Sequence, residues 1–116
     1  IKPEADPDVK ARLAALVNRQ NYEEKIEQGR KALKDGAWDK ARDFFRKAKA
    51  IIPDKEADDL IRQTTYLEYV AKGKEALSRG DARGALGYFN IAKDRMETEE
   101  VKALIKQAEK QLNESS

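Results

Sequence analysis

The sequence contains no cysteine and no histidine. Disulfides, thiolate nucleophiles, imidazole bases and ordinary zinc sites all need one of these side chains, so these chemistries are excluded. No apolar run approaches the roughly 18 residues that span a bilayer, and the first residues lack the basic-then-apolar order of a signal peptide. We therefore expect a soluble chain. The compartment stays open, because a chain without cysteine suits both the cytosol and export.

Large apolar side chains are also scarce. Leu, Ile, Val and Phe together supply 23 of the 116 residues, which is near the composition of disordered chains. The net charge of only +2 argues against a self-repelling coil. Seventeen alanines compensate, because alanine is the best helix former and lets helices approach closely. The composition therefore favours a lean core between packed helices.

The first eight residues, IKPEADPD, differ from the rest of the chain. They place Pro3 and Pro7 among acidic residues, and the first residue is Ile rather than Met. This composition predicts a linker over residues 1–8 and indicates that the chain was excised from a longer protein.

Helix boundary signals fall at regular places. Gly36 and Gly80 end long helix-compatible stretches, while Asp54, Asp81 and Thr98 are suited to begin new helices as N-caps. Nothing in the sequence reads as a strand. The helices predicted from these signals cover residues 38–52, 82–96 and 98–113.

An internal repeat of 44 residues decides the architecture. Residues 10–53 align with residues 54–97 at 11 identical positions, most of them small or apolar. The pairs Leu16-Val17, Leu60-Ile61 and Leu104-Ile105 recur at the same spacing. We predict a first repeat at 9–53, a second at 54–97, and a C-terminal helix at 98–116 that caps the array or opens a third repeat.

Each repeat is predicted to be a helical hairpin, with a helix A followed by a helix B. Gly29 and Gly73 lie inside helix A, where glycine costs roughly 1 kcal/mol relative to alanine. Close crossing of the two helices offsets that cost. Helix B carries a matching stripe in which two alanines flank a phenylalanine. Its members are Ala41, Phe45 and Ala48 in the first repeat, and Ala85, Phe89 and Ala92 in the second.

This arrangement of residues resembles the tetratricopeptide repeat (TPR) family. The family pattern has a glycine in helix A, a turn glycine, Ala-x3-Phe-x2-Ala in helix B and a closing proline, which is Pro53 in the first repeat. The chain departs from the pattern at the family's early Trp, which is Lys25 or Tyr69 here, and at the second closing proline, which is Glu97. Its period also exceeds the family's repeat of about 34 residues, which we interpret as a lengthened helix A.

The resemblance implies an all-α fold of tandem antiparallel hairpins, stacked as a short right-handed solenoid, that binds a peptide or protein on the concave face lined by helix A. It implies no cofactor. A partner that offers apolar side chains and acidic groups is expected, because basic and apolar residues alternate on this face. The implied partner-binding residues are Ile26, Arg30, Leu33 and Lys34 in the first repeat, and Leu67, Val70, Lys74, Leu77 and Ser78 in the second.

Other functions have weaker support in the sequence. The acidic pairs, such as Glu23-Glu24, are adjacent and diverge by about 100° on a helix, so they form no acid/base dyad and we expect no enzymatic activity. Residues 25–55 carry a net charge of +5, which keeps nucleic-acid binding open, although interleaved exposed aromatic residues are not evident. A self-association or spacer domain of a larger protein, formed by long helices that pair between chains, is the main alternative, and nucleic-acid binding ranks below it. We expect no metal site and no membrane insertion.

The small residues of helix B give a first testable prediction. Ala41→Leu or Ala85→Leu should overpack the helix crossing and destabilise the fold by roughly 1 to 3 kcal/mol. Thermal unfolding measures the effect, and unchanged midpoints in both variants would contradict the predicted crossing.

Overall fold

The computed structural model describes residues 7–115, and it is helical throughout. Within these residues there is no strand, so the expected all-α class is confirmed. Short turns separate the helices, and the predicted boundaries hold to within about two residues. The helices are α1 (Pro7–Lys34), α2 (Trp38–Ile51), α3 (Lys55–Ser78), α4 (Ala82–Arg95) and α5 (Glu99–Ser115).

The chain divides into two compact units between Ile61 and Arg62. The N-terminal unit holds α1, α2 and the first turns of α3, whereas the C-terminal unit holds the rest of α3 with α4 and α5. The boundary differs from the predicted one after residue 53, because Ala57 and Leu60 of α3 are buried in the core of the N-terminal unit. The start of α3 therefore belongs to the second repeat in sequence but to the N-terminal unit in structure.

The predicted linker also differs from the structure. Pro7 and Asp8 already belong to α1, where proline is tolerated because the first helical N–H needs no partner within the helix. The remaining residues of that linker, 1–6, lie outside the described residues, as does Ser116.

The two hairpin turns depend on glycine in the left-handed region. Gly36 has φ 73° and Gly80 has φ 82°, backbone angles that other residues rarely adopt. After Gly36, the Ala37 N–H donates to the Ala32 carbonyl at 2.9 Å, which closes the helix end in the Schellman manner. At the second turn, the Asp81 carboxylate accepts from the Gly84 N–H at 2.8 Å and caps α4. The predicted turn positions are confirmed.

Within each hairpin, a helix-A glycine lies directly against a helix-B phenylalanine. A Cβ added at Gly29 would lie 2.8 Å from Phe45 Cζ, and a Cβ added at Gly73 would lie 2.8 Å from Phe89 Cζ. Both rings are fully buried, and so are the alanines that flank them on helix B. The close crossing predicted from these residues is confirmed in both hairpins.

A tyrosine of each hairpin is bonded to the N-cap of the following helix. Tyr22 Oη donates to Asp54 at 3.3 Å, while the Asp54 carboxylate also accepts from the Glu56 N–H at 3.0 Å. In the C-terminal unit, the Tyr66 and Thr98 hydroxyls are 2.6 Å apart, and Thr98 accepts from a backbone N–H of α5 at 3.1 Å. Both tyrosine–cap pairs are separated by 32 residues, so each hairpin fixes the start of the next helix in the same way.

Substitution of the buried glycine tests the helix crossing. Gly73→Ala should destabilise the C-terminal unit by about 1–3 kcal/mol, because overpacking against the Phe89 ring outweighs the gain in helix propensity. Gly87 lies in α4 with open space at its Cβ, so Gly87→Ala is the matched control and should stabilise by up to about 1 kcal/mol. Urea unfolding followed by far-UV circular dichroism measures both. Equal effects would show that the Phe89 contact does not constrain residue 73.

The buried tyrosine of the N-terminal unit predicts an alkaline limit to stability. Burial raises the pKa of Tyr22 above its ordinary value of 10.0, and the carboxylates of Glu56 and Asp54 raise it further. A pKa raised by folding stabilises the unit fully below about pH 10, and this contribution is lost as the pH rises through the folded-state value. Urea midpoints followed by fluorescence of Trp38 in α2 should fall more steeply above pH 10 for the wild type than for Tyr22→Phe. Parallel pH profiles would contradict this assignment.

Candidate functional site

The predicted partner-binding positions of the N-terminal unit lie near the end of α1. Arg30 and Lys34 are exposed, and Leu33 is half-buried against the core. Arg30 forms an ion pair with Glu56 at 3.3 Å, in which both side chains are about half exposed. Solvent screens a pair of this kind, so it contributes little to stability and Arg30 can exchange Glu56 for another carboxylate.

Two of the predicted binding residues are core residues. Ile26 and Val70 are only 7% and 5% exposed, and each packs in the apolar cluster of its own unit. Their prediction as partner contacts is corrected, because a side chain buried among neighbouring helices cannot reach a partner. Leu67 is 38% exposed on α3 and is available at the surface.

The remaining three predicted residues of the second repeat line one cleft in the C-terminal unit. Lys74, Leu77 and Ser78 come from the last turns of α3, and side chains of α5 form the opposite wall. The cleft has a volume of about 360 Å³. It brings together one cation, a half-buried leucine and a hydroxyl, with three further residues from α5: Leu104, Gln107 and Gln111.

The polar groups of this cleft differ in whether they have hydrogen-bond or ion-pair partners. The Ser78 hydroxyl donates to the Glu75 carbonyl at 2.7 Å, within the same helix. Lys74 forms no ion pair within residues 7–115, although it corresponds to the paired Arg30. Gln111 Oε1 is buried, and no hydrogen-bond partner for it lies in the described part of the chain. The cleft therefore offers a cationic donor, Lys74, beside two leucines.

Sequence reasoning missed the α5 wall of this cleft. Leu104, Gln107 and Gln111 follow a helical spacing of three and four residues, which shows that they share a face but not which helix they face. A second cleft, of about 320 Å³ in the N-terminal unit, was not predicted either. It is lined by Gln28, Lys31, Ala32, Asp35, Ala37, Lys40 and Phe44.

Part of the basic segment 25–55 is occupied by internal pairing. Lys47 pairs with Asp43 at 3.1 Å and Lys49 with Asp58 at 2.7 Å. Phe44 is half-buried against the core, and its ring is approached by two lysines, Lys25 and Lys47, at 5.9 and 5.7 Å from the ring centroid. The aromatic surface on which a nucleic acid base could stack is therefore limited here.

Residues 7–115 hold neither a cluster of metal ligands nor a membrane-spanning helix. Among residues 7–115, no group of three or more acidic, cysteine or histidine side chains is arranged to hold a metal ion. None of the five helices combines the length and the apolar character that crossing a membrane requires.

Comparison of the chain with protein-family models, with curated proteins and with solved structures finds no match.

Proposed function

We propose that the chain is a non-enzymatic protein-interaction module that binds an extended or helical peptide on the helix-A face. The observation that carries the proposal is the cleft between α3 and α5, where Lys74 has no internal carboxylate partner in the described residues. The pattern shared with tetratricopeptide repeats, at Gly73, Gly80 and Phe89 among other positions, supports the same reading of the helix-A face.

The cleft favours a peptide with both acidic and apolar side chains. A carboxylate of the peptide would pair with Lys74, and an apolar side chain would lie between Leu77 and Leu104. In the N-terminal unit, Arg30 and Lys34 present the same cationic character on a separate surface.

A charge reversal at the cleft tests the proposal. Peptides of about 12 residues, rich in Leu, Phe, Asp and Glu, are selected for binding to the wild-type chain. The Kd of the best binder is then measured by titration. We expect Lys74→Glu to weaken binding at least tenfold, or about 1.4 kcal/mol, and the binding to weaken further as salt is raised. Lys110→Glu is the matched control, since Lys110 is exposed on α5 and lies outside the cleft.

Mapping of the bound peptide by NMR completes the test. Shift changes at the Leu77 and Leu104 methyl groups are the expected result. Equal affinities of the two charge-reversed variants, or shift changes confined to another face, would show that the cleft is not the binding site.

A further inference from the structure

The first half of α1 carries an uncovered apolar stripe. Leu13, Leu16 and Val17 are 57%, 62% and 52% exposed, and Val9 extends the stripe by one turn. Their spacing places them on one helix face. All residues from Pro7 to Asn21 are exposed, so no part of residues 7–115 covers this face.

The equivalent positions of the later repeats are covered. One period of 44 residues later, Ala57 and Leu60 are buried in the N-terminal core, against the hairpin formed by α1 and α2. Two periods later, Val101 is buried in the C-terminal core and Leu104 packs against it, on the hairpin formed by α3 and α4. The same stripe therefore covers a helical hairpin twice in this chain. A helical hairpin is the kind of surface that fits the stripe of α1.

Charges beside the stripe are reversed in α1. Where the start of α3 has Asp54, bonded to Tyr22, α1 has Lys10. Where α3 has Glu56, paired with Arg30 at 3.3 Å, α1 has Arg12. Over residues 7–20 there are three basic side chains and one acidic, whereas the equivalent residues 51–64 have two basic and four acidic.

This reversal argues against a second copy of the chain as the occupant. If α1 covered a hairpin of another copy, Arg12 would face Arg30 or its equivalent, Lys74, and like charges repel at close range. Gln20 would replace Ala108, which is fully buried in the C-terminal core. Both hairpins of a second copy are also already covered by α3 or α5.

We propose that Leu13, Leu16 and Val17 form a docking surface for a helical hairpin of another protein. The hairpin carries a carboxylate at the exposed position that corresponds to Arg30 of this chain, so that this carboxylate meets Arg12. This surface is separate from the α3–α5 cleft, and the proposal does not depend on the peptide-binding function.

A tethered hairpin provides the test. It stands in for the unknown partner, and a short linker holds it near α1 at an effective concentration in the millimolar range. A copy of residues 10–53 is fused ahead of Ile1 of the full chain, so that residues 1–6 connect the copy to α1. In the acidic copy, Arg30→Glu is introduced, and in the parent copy it is not. Hydrogen exchange of amides 9–20 in the original α1 reports docking.

The expected result is a charge-swap pattern. The acidic copy should slow exchange of these amides at least tenfold, and the parent copy should slow it far less. With Lys10→Asp and Arg12→Glu in α1, the preference should invert, because that arm rebuilds the interface already present between α1, α2 and the start of α3.

Three outcomes would overturn the proposal. These are equal protection by both copies, docking in the rebuilt arm alone, and no protection in any arm. Sedimentation equilibrium of the unmodified chain is the independent measurement, and a monomer is expected. A dimer that Leu16→Asp dissociates while the helix content stays unchanged would show that a second copy occupies the stripe instead.

Discussion

Contact between a helix-A glycine and a helix-B phenylalanine sets the geometry of each hairpin. At Gly29 and Gly73, any side chain would collide with the ring of Phe45 or Phe89. Glycine inside a helix costs about 1 kcal/mol, whereas burial of a phenylalanine ring contributes about 1.5–3 kcal/mol, so the exchange favours the folded hairpin. The crossing brings the two backbones near, and the residues beside the ring on helix B are small, fully buried alanines.

The remaining organisation follows from this close crossing. A hairpin of small residues buries little apolar area by itself, so it gains stability when the next helix covers it. In the N-terminal unit, Ala57 and Leu60 supply this cover, and the Tyr22–Asp54 bond holds the covering helix at its first turn. The start of α3 is therefore held by a short apolar stripe and one hydrogen bond. The hydrogen bond fixes the position of α3 along the hairpin, which the apolar contacts alone would define less sharply.

Much of the fold could be predicted from the sequence because its signals are local. The turn glycines and the caps at Asp54 and Thr98 act within a few residues, and their positions agree with the structure. Which apolar face meets a neighbour is a tertiary property. Spacing alone therefore could not show that Ile26 and Val70 belong to the core, or that α5 forms one wall of the cleft.

Charge gives an internally repeated chain the specificity that its apolar positions lack. The pairs Leu16-Val17, Leu60-Ile61 and Leu104-Ile105 are nearly interchangeable, so apolar contacts alone would let any helix start cover any hairpin. Charged residues at the flanking positions distinguish the start of α1 from the starts of α3 and α5, because Arg12 has the same charge as Arg30 and Lys74, whereas Glu56 and Glu100 have the opposite charge. The charge at this position therefore disfavours α1 as the cover of either hairpin of this chain, while the apolar stripe that it shares with α3 and α5 still favours contact with a helical hairpin.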